Sequence, residues 1–261
     1  MPNRVIEEAA RRLREANENK VLCQPVRDLI GEKDIGAAYA VQKINTNLRM
    51  SKGAKLVGAK IGLTSKVVQE QLGVHQPDFG LLFDDMEIMN GDEISCKELM
   101  QPKAEGEIAL ILGKDLNGKS ITTVDVLRAV EYVVASIEVV GSRIENWNIG
   151  ITDTIADNAS SSHFVLGHRP VRLENIDVIN CKMVMRKNGE EVSEGFGSAC
   201  LGSPITATLW LAKTMASLNT PLRAGDVILS GALGPMVSVA PGDFVEASFD
   251  ELGKVSVHFT E

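Results

Sequence analysis

Three glutamates have the type and spacing to hold a metal ion. Glu105 and Glu107 head the apolar run "KAEGEIAL", residues 103–110. Side chains alternate across a strand, so both carboxylates face the same way. Like charges held that close repel, and burying a carboxylate without a partner is strongly unfavourable. Taken alone, the pair is also explained by a solvated edge strand. Glu138 argues against that reading. It sits in the middle of "VVASIEVVGS", sharing its face with Val134, Ser136 and Val140 among apolar neighbours. Three carboxylates on two strands of one sheet present the oxygen face that a hard divalent cation takes. Mg²⁺ in such a site keeps positions open for water and substrate oxygens.

Other residues could do chemistry beside them. Lys60 is the only charge in "LVGAKIGLTS". It reads either as a lysine snorkelling from a strand edge or as a partly desolvated ammonium that donates a proton or binds an anion. Asp78 lies in "HQPDFG", a loop by its Pro and Gly, as a turn cap or as a base at the mouth of a site. Asp157-Asn158 followed by "ASSS" is an ordinary polar turn or a carboxylate-binding loop. "SGALGPM", residues 230–236, is a glycine-rich loop whose amides can approach a ligand closely. His75, His163, His168 and His258 are isolated and read as structural or surface residues. Cys23, Cys96, Cys181 and Cys200 are scattered without a CxxC pair, which suggests neither a zinc site nor a disulfide framework. All four read as buried structural thiols.

The elements that must position these groups follow from hydrophobic period. Ile6, Ala9, Ala10 and Leu13 mark one buried helical face. A second helix is predicted over about 36–50, with Val41, Ile44 and Leu48 inward. "KLVGAKIGLTS" is strand-like, and Thr64 or Ser65 caps a short helix "KVVQEQLG". "EIALILG" is a strand, "TTVDVLRAVEYV" a capped helix and "VVASIEVVGS" a strand. "CKMVMRKNGEEVSEG" is a hairpin turning at Asn188-Gly189. Ser203-Pro204 opens a helix through about 217. The C-terminus alternates strands with "RAGD", "APGD" and "ELGK" turns. Helices first and many short strands after them predict an α+β fold with a barrel-like or rolled sheet. The expected division is a helical region, 1–75, packed on a core region, 76–261, as one functional unit.

Bulk properties set the class. The 261 residues are 44% hydrophobic and 24% charged, enough for a sizeable core. No apolar run approaches the roughly 20 residues that cross a bilayer. The N-terminus lacks the apolar segment of a signal peptide, which predicts a cytoplasmic protein. A net charge of −8 without a Lys/Arg cluster gives no footprint for nucleic acid.

Taken in order, "VGAKIGLTS", "LGVHQPDFGLLF", "QPKAEGEIAL", "IEVVGSRI", "DTIADNASSSHFVLG", "GSACLGSP" and "SGALGPMVSVAPGD" resemble the fumarylacetoacetate hydrolase superfamily. The resemblance is strongest to its 2-hydroxypenta-2,4-dienoate hydratase branch, from bacterial meta-cleavage of aromatic compounds. It covers about residues 25–250. It implies a mixed β-roll with outer helices, and a divalent Mg²⁺ or Mn²⁺ on Glu105, Glu107 and Glu138. It adds Lys60 and Asp78 as catalytic residues. It implies a substrate-binding set of Ser160, Ser161, Leu63, Phe79, Gly231 and Leu233, the two serines and the "SGALGPM" amides taking the substrate carboxylate. It also implies a homo-oligomer and possible association with a related pathway enzyme.

The implied reaction is hydration of 2-hydroxypenta-2,4-dienoate to 4-hydroxy-2-oxopentanoate. The dienol ketonises, then water adds at C4, conjugate to the ketone. Three rivals stay open: a 4-oxalocrotonate-type decarboxylase on the same scaffold, a C–C hydrolase of acylpyruvates, and a non-catalytic partner subunit. The decarboxylases share the triad, the lysine and "ADNASS". They lack an acid at the position of Asp78 and carry a "GGI"-type segment in place of "GALGPM".

Overall fold

Two strands that alternate between two layers organise the molecule. The computed structural model describes residues 2–65, 69, 76–118 and 120–261. The helix expected over "KVVQEQLG" lies outside them apart from Gln69, as does His75. Among the described residues, one sheet combines β1 (Leu56–Gly62), β2 (Asp78–Phe83), β3 (Glu87–Ile88), β5 (Lys103–Leu112), β6 (Val130–Val140), β7 (Ser161–Leu166), β10 (Val227–Ala232) and β11 (Val237–Ser238). Its order is β2-β1-β10-β5-β6-β7-β3, with β11 beside β5. A second sheet combines β4 (Glu93–Ser95), β8 (Lys182–Lys187), β9 (Glu190–Phe196), β12 (Phe244–Phe249) and β13 (Gly253–Thr260), in the order β4-β13-β12-β8-β9.

β5 and β6 pair antiparallel, with Glu105 opposite Glu138 and Glu107 opposite Ser136. The period of two then assigns each face. Ile108, Leu110 and Leu112 of β5, with Ala135, Ile137 and Val139 of β6, join the large core shared with the second sheet. Gly106 lets the layers close, because a Cβ there would lie 2.9 Å from the Met183 sulfur of β8. The opposite face carries Ala109 and Val134 into a smaller cluster with Leu82, Phe83, Phe164 and Leu229. Beyond those apolar residues, that face carries the glutamates.

The helices α1 (Pro2–Asn19), α2 (Arg27–Ile30), α3 (Ile35–Ser51) and α5 (Ile151–Ala156) share a separate core. Ala9, Ala10 and Leu13 are buried there with Val41, while Ile6 and Ile44 pack at its margin. α6 (Pro204–Ser217) starts where expected, with the Ser203 hydroxyl accepting from the Ile205 N–H and proline at the first position. The β8–β9 turn has positive φ at Asn188 and Gly189, as a tight hairpin turn requires. No helix of the described residues is long and apolar enough to cross a membrane.

Three expectations are corrected. The helix α4 is Thr123–Ala129, capped by Thr122, and does not continue through "VEYV". Val130 and Tyr132 pair with Leu112 and Ile111 instead, because β-branched and aromatic residues gain more on the sheet than in a helix. Asp78 and Phe79 are not in a loop. They begin β2, with Asp78 opposite Gly62 of β1. α5, which ends just before the polar stretch at 157–162, is an element without a counterpart among the expectations. Cys181 and Cys200 are buried, but Cys23 and Cys96 are only partly so, and all four are unpaired.

Candidate active site

The face of β5 and β6 turned away from the second sheet brings the three glutamates together. One carboxylate oxygen from each of Glu105, Glu107 and Glu138 lies within 4.8 Å of the other two. Glu107 and Glu138 are fully buried, and Glu105 keeps partial exposure. Glu107 Oε1 and both oxygens of Glu138 have no hydrogen-bond partner. Burial, then the neighbouring Glu138, raises Glu105 to about 7 and lifts Glu107 well above the usual carboxylate range. Glu138 is raised by burial and held back by Lys60. Oxygen-only donors, mutual repulsion and unsatisfied buried lone pairs together fit a hard divalent cation.

β1 faces this cluster. Lys60 is 3% exposed, and its Nζ lies 3.2 Å from Glu138 Oε2 as a charge contact without hydrogen-bond alignment. The same ammonium donates to the Ala159 carbonyl at 2.8 Å. Burial alone would push its pKa down. Glu138, Glu105, Asp78 and Glu107 outweigh that and hold it above its ordinary value, so it stays charged.

Asp78 is 1% exposed. Its Oδ2 accepts from Thr154 Oγ1 of α5 at 3.0 Å, and its Oδ1 has no partner. Burial raises its pKa against the pull of Lys60 and the Thr154 hydrogen bond. The space is provided by Gly62, where a Cβ would lie 2.2 Å from Asp78 Oδ1 and 3.6 Å from Lys60 Nζ. Among the two readings of Asp78, the structure excludes a solvent-facing turn cap.

Ser160 and Ser161 are buried at 5% exposure, and both hydroxyls lack a protein partner. Ser161 lies beside Glu138. The Gly231 N–H donates to Glu107 Oε2 at 2.8 Å, and the Leu233 N–H donates to the Gly106 carbonyl at 3.0 Å. The first amide therefore orients a glutamate, and the second joins the loop to β5. Phe79 is buried and stacks on Tyr39 with ring centroids 4.7 Å apart. Leu63 has φ of +55° and its carbonyl accepts from Gln69. His163 bonds Ser162 away from the triad, and His168 and His258 are exposed.

Three contributors had weak signals in sequence. Thr154 is unmarked within "ITDTIA". Gly62 gave only a glycine beside a lysine. Arg143 is the single cation after β6 in "IEVVGSRI", and it is 8% exposed. Its guanidinium and backbone N–H bind Asp157, so the polar turn is closed by an internal ion pair.

The fumarylacetoacetate (FAA) hydrolase C-terminal family matches residues 57–260, which include every residue of this cluster. The chain belongs to that family. It is 54% identical over 256 residues to a protein from Pseudomonas putida F1 named TodF product hydratase, covering 98% of this chain and 96% of that one. It is 54% identical over 253 residues to 2-keto-4-pentenoate hydratase 1 of Dechloromonas aromatica, covering 97% and 96%. A solved structure of 4-oxalocrotonate decarboxylase from Pseudomonas putida G7, complexed with magnesium and adipate, superposes with a TM-score of 0.94 at 35% identity. It covers 99% of this chain and 98% of that one.

Proposed function

We propose that this chain is a metal-dependent hydro-lyase that adds water to 2-hydroxypenta-2,4-dienoate, giving 4-hydroxy-2-oxopentanoate in meta-cleavage catabolism of aromatic compounds. The observation that carries this reading is the buried Asp78 carboxylate beside Lys60 and the glutamate cluster. Hydration needs a base for water as well as an electron sink, and decarboxylation needs only the sink. The near-full-length likeness to proteins named as hydratases supports the same choice.

Glu105, Glu107 and Glu138 would hold Mg²⁺ or Mn²⁺, which supplies Lewis-acid withdrawal of electrons from the 2-oxo group when bound. Lys60, as an ammonium, donates toward the developing enolate charge and returns a proton during ketonisation. That step moves a proton from the C2 hydroxyl to C5 and leaves the C3–C4 double bond conjugated to the ketone. Asp78 Oδ1 accepts a proton from water as its oxygen bonds to C4, and C3 is then protonated. Thr154 fixes which Asp78 oxygen stays available. Ser160 and Ser161 offer hydroxyls to the substrate carboxylate, and Leu63, Phe79, Gly231 and Leu233 shape the surroundings. Gly231 acts through Glu107.

The helical region 1–75 and the region 76–261 form one functional unit in this reading, since Lys60 comes from the first. A cytoplasmic homo-oligomer belongs to it as well, and Val124 and Leu127 on α4, 51% and 48% exposed, offer apolar surface. The test is loss of dienol absorbance with simultaneous CO₂ detection. Formation of 4-hydroxy-2-oxopentanoate without CO₂ supports hydration, release of CO₂ from a 2-oxo diacid favours the decarboxylase, and no turnover leaves the partner-subunit reading.

A further inference from the structure

We propose that Arg143 is a positioning residue for Lys60, acting through the Ala159 carbonyl, an inference that rests on the hydratase reading above. Asn158, Ala159 and Ser160 are three consecutive residues with φ of +55°, +52° and +57°. L-residues seldom adopt this left-handed conformation, and a run of three persists only where the surroundings impose it.

Arg143 supplies that constraint at both ends of the turn. Its backbone N–H donates to Asp157 Oδ2 at 3.1 Å, and its Nε donates to Asp157 Oδ1. Nη2 donates to the Asp157 carbonyl at 2.7 Å, and Nη1 reaches the Ser161 carbonyl at 3.3 Å. The remaining ties bind the middle. The Asn158 side chain pairs with the Leu81 N–H and carbonyl at 2.8 and 2.9 Å, and the Gly141 N–H donates to the Ser160 carbonyl at 2.8 Å. Gly80 lets β2 come this near, since a Cβ there would lie 2.2 Å from the Asn158 carbonyl oxygen.

The product of this bracing is one acceptor. The Ala159 carbonyl takes a hydrogen bond from Lys60 Nζ at 2.8 Å. An ammonium has three donors on a flexible stem, so fixing one aims the other two. Arg143 makes no hydrogen bond to Lys60 or to the three glutamates among the described residues. Its effect on chemistry must pass through the turn. A lysine could keep the charge but not the planar fork that spans Asp157 and Ser161.

The experiment is a double-variant cycle on the full enzyme with 2-hydroxypenta-2,4-dienoate. Arg143→Lys should lower kcat by about tenfold to a hundredfold, the scale of a small misplacement of a reacting group. The Mn²⁺ dissociation constant should stay within about threefold, and KM, which Ser160 and Ser161 of the same turn can affect, should rise by less than kcat falls. In a Lys60→Ala background the same substitution should bring no further loss, because the group it positions is gone. Losses that multiply in the double variant, or a change in KM with kcat unchanged, would overturn the proposal. Asp157→Asn, which keeps the side-chain shape and removes the charged acceptor, is run through the same cycle if Arg143→Lys does not fold. Wild-type turnover separates the two claims. No hydration by wild type strikes the functional reading, whereas wild-type hydration with multiplying losses strikes only the role of Arg143.

Discussion

Replacing Asp78 with Asn removes a charge and little else. The side chain keeps its shape, and its amide oxygen can still accept from Thr154 Oγ1, now at 3.0 Å from Oδ2. The fold should change by only about 1 kcal/mol, the worth of an ordinary hydrogen bond. What disappears is the unpartnered Oδ1 as a proton acceptor. A general base contributes about 10²–10⁴ in rate, which is about 3–5 kcal/mol of barrier at 1.36 kcal/mol per tenfold. The barrier effect therefore exceeds the stability effect severalfold. Ketonisation relies on Lys60 and should persist, so a conjugated 2-oxo acid accumulates before water is added. Stopped absorbance traces at the dienol and enone bands, with thermal melting as a control, read both quantities. Hydration by Asp78→Asn at the wild-type rate would refute the water-activating role.

Glu107→Gln and Glu138→Gln should each abolish tight Mn²⁺ binding followed by its paramagnetic signal, and Glu107→Gln, which leaves the Lys60–Glu138 contact in place, should raise the melting temperature of the metal-free protein by relieving buried repulsion. Unchanged Mn²⁺ affinity in both would remove the metal from this site. Gly62→Ala places a Cβ 2.2 Å from Asp78 Oδ1. It should destabilise by about 1–3 kcal/mol through overpacking and lose hydration more than Mn²⁺ binding. Retained wild-type turnover would show that Asp78 has room to spare. His163 is depressed to about 4, mainly by burial. Its folded pKa lies below the unfolded value near 6.5, so stability is intact above pH 6.5 and falls as pH drops toward 4. The loss should be on the order of 1–3 kcal/mol and be reduced in His163→Gln. A denaturation midpoint whose pH dependence is the same in both proteins would contradict it.

The triad was legible because strand period two acts locally, and Glu105, Glu107 and Glu138 sit on strands whose apolar partners reveal the faces. Lys60 stood out as a lone charge among small apolar residues. Its partner was not visible, since Ala159 lies 99 residues away. Asp78 was singled out but misplaced, because Pro and Gly look like a loop until β1 pairs across from them. The end of α4 was missed for a similar reason: "VEYV" suits either state, and only pairing with β5 decides. The left-handed turn at 158–160 has only Asn158 as a local signal, and Ala159 and Ser160 give none. The ties that impose it come from elsewhere in the chain, from Leu81, Gly141 and Arg143, the last fourteen positions before the Asp157 that it grips.

The most direct measurement is the product formed from 2-hydroxypenta-2,4-dienoate in ¹⁸O-labelled water with Mg²⁺ present. The account requires 4-hydroxy-2-oxopentanoate, one water heavier than the substrate, with label at the C4 hydroxyl and no CO₂. The label should enter only with metal bound and Asp78 intact. A product of unchanged mass, a shorter acid accompanied by CO₂, or a C4 hydroxyl without label would contradict it.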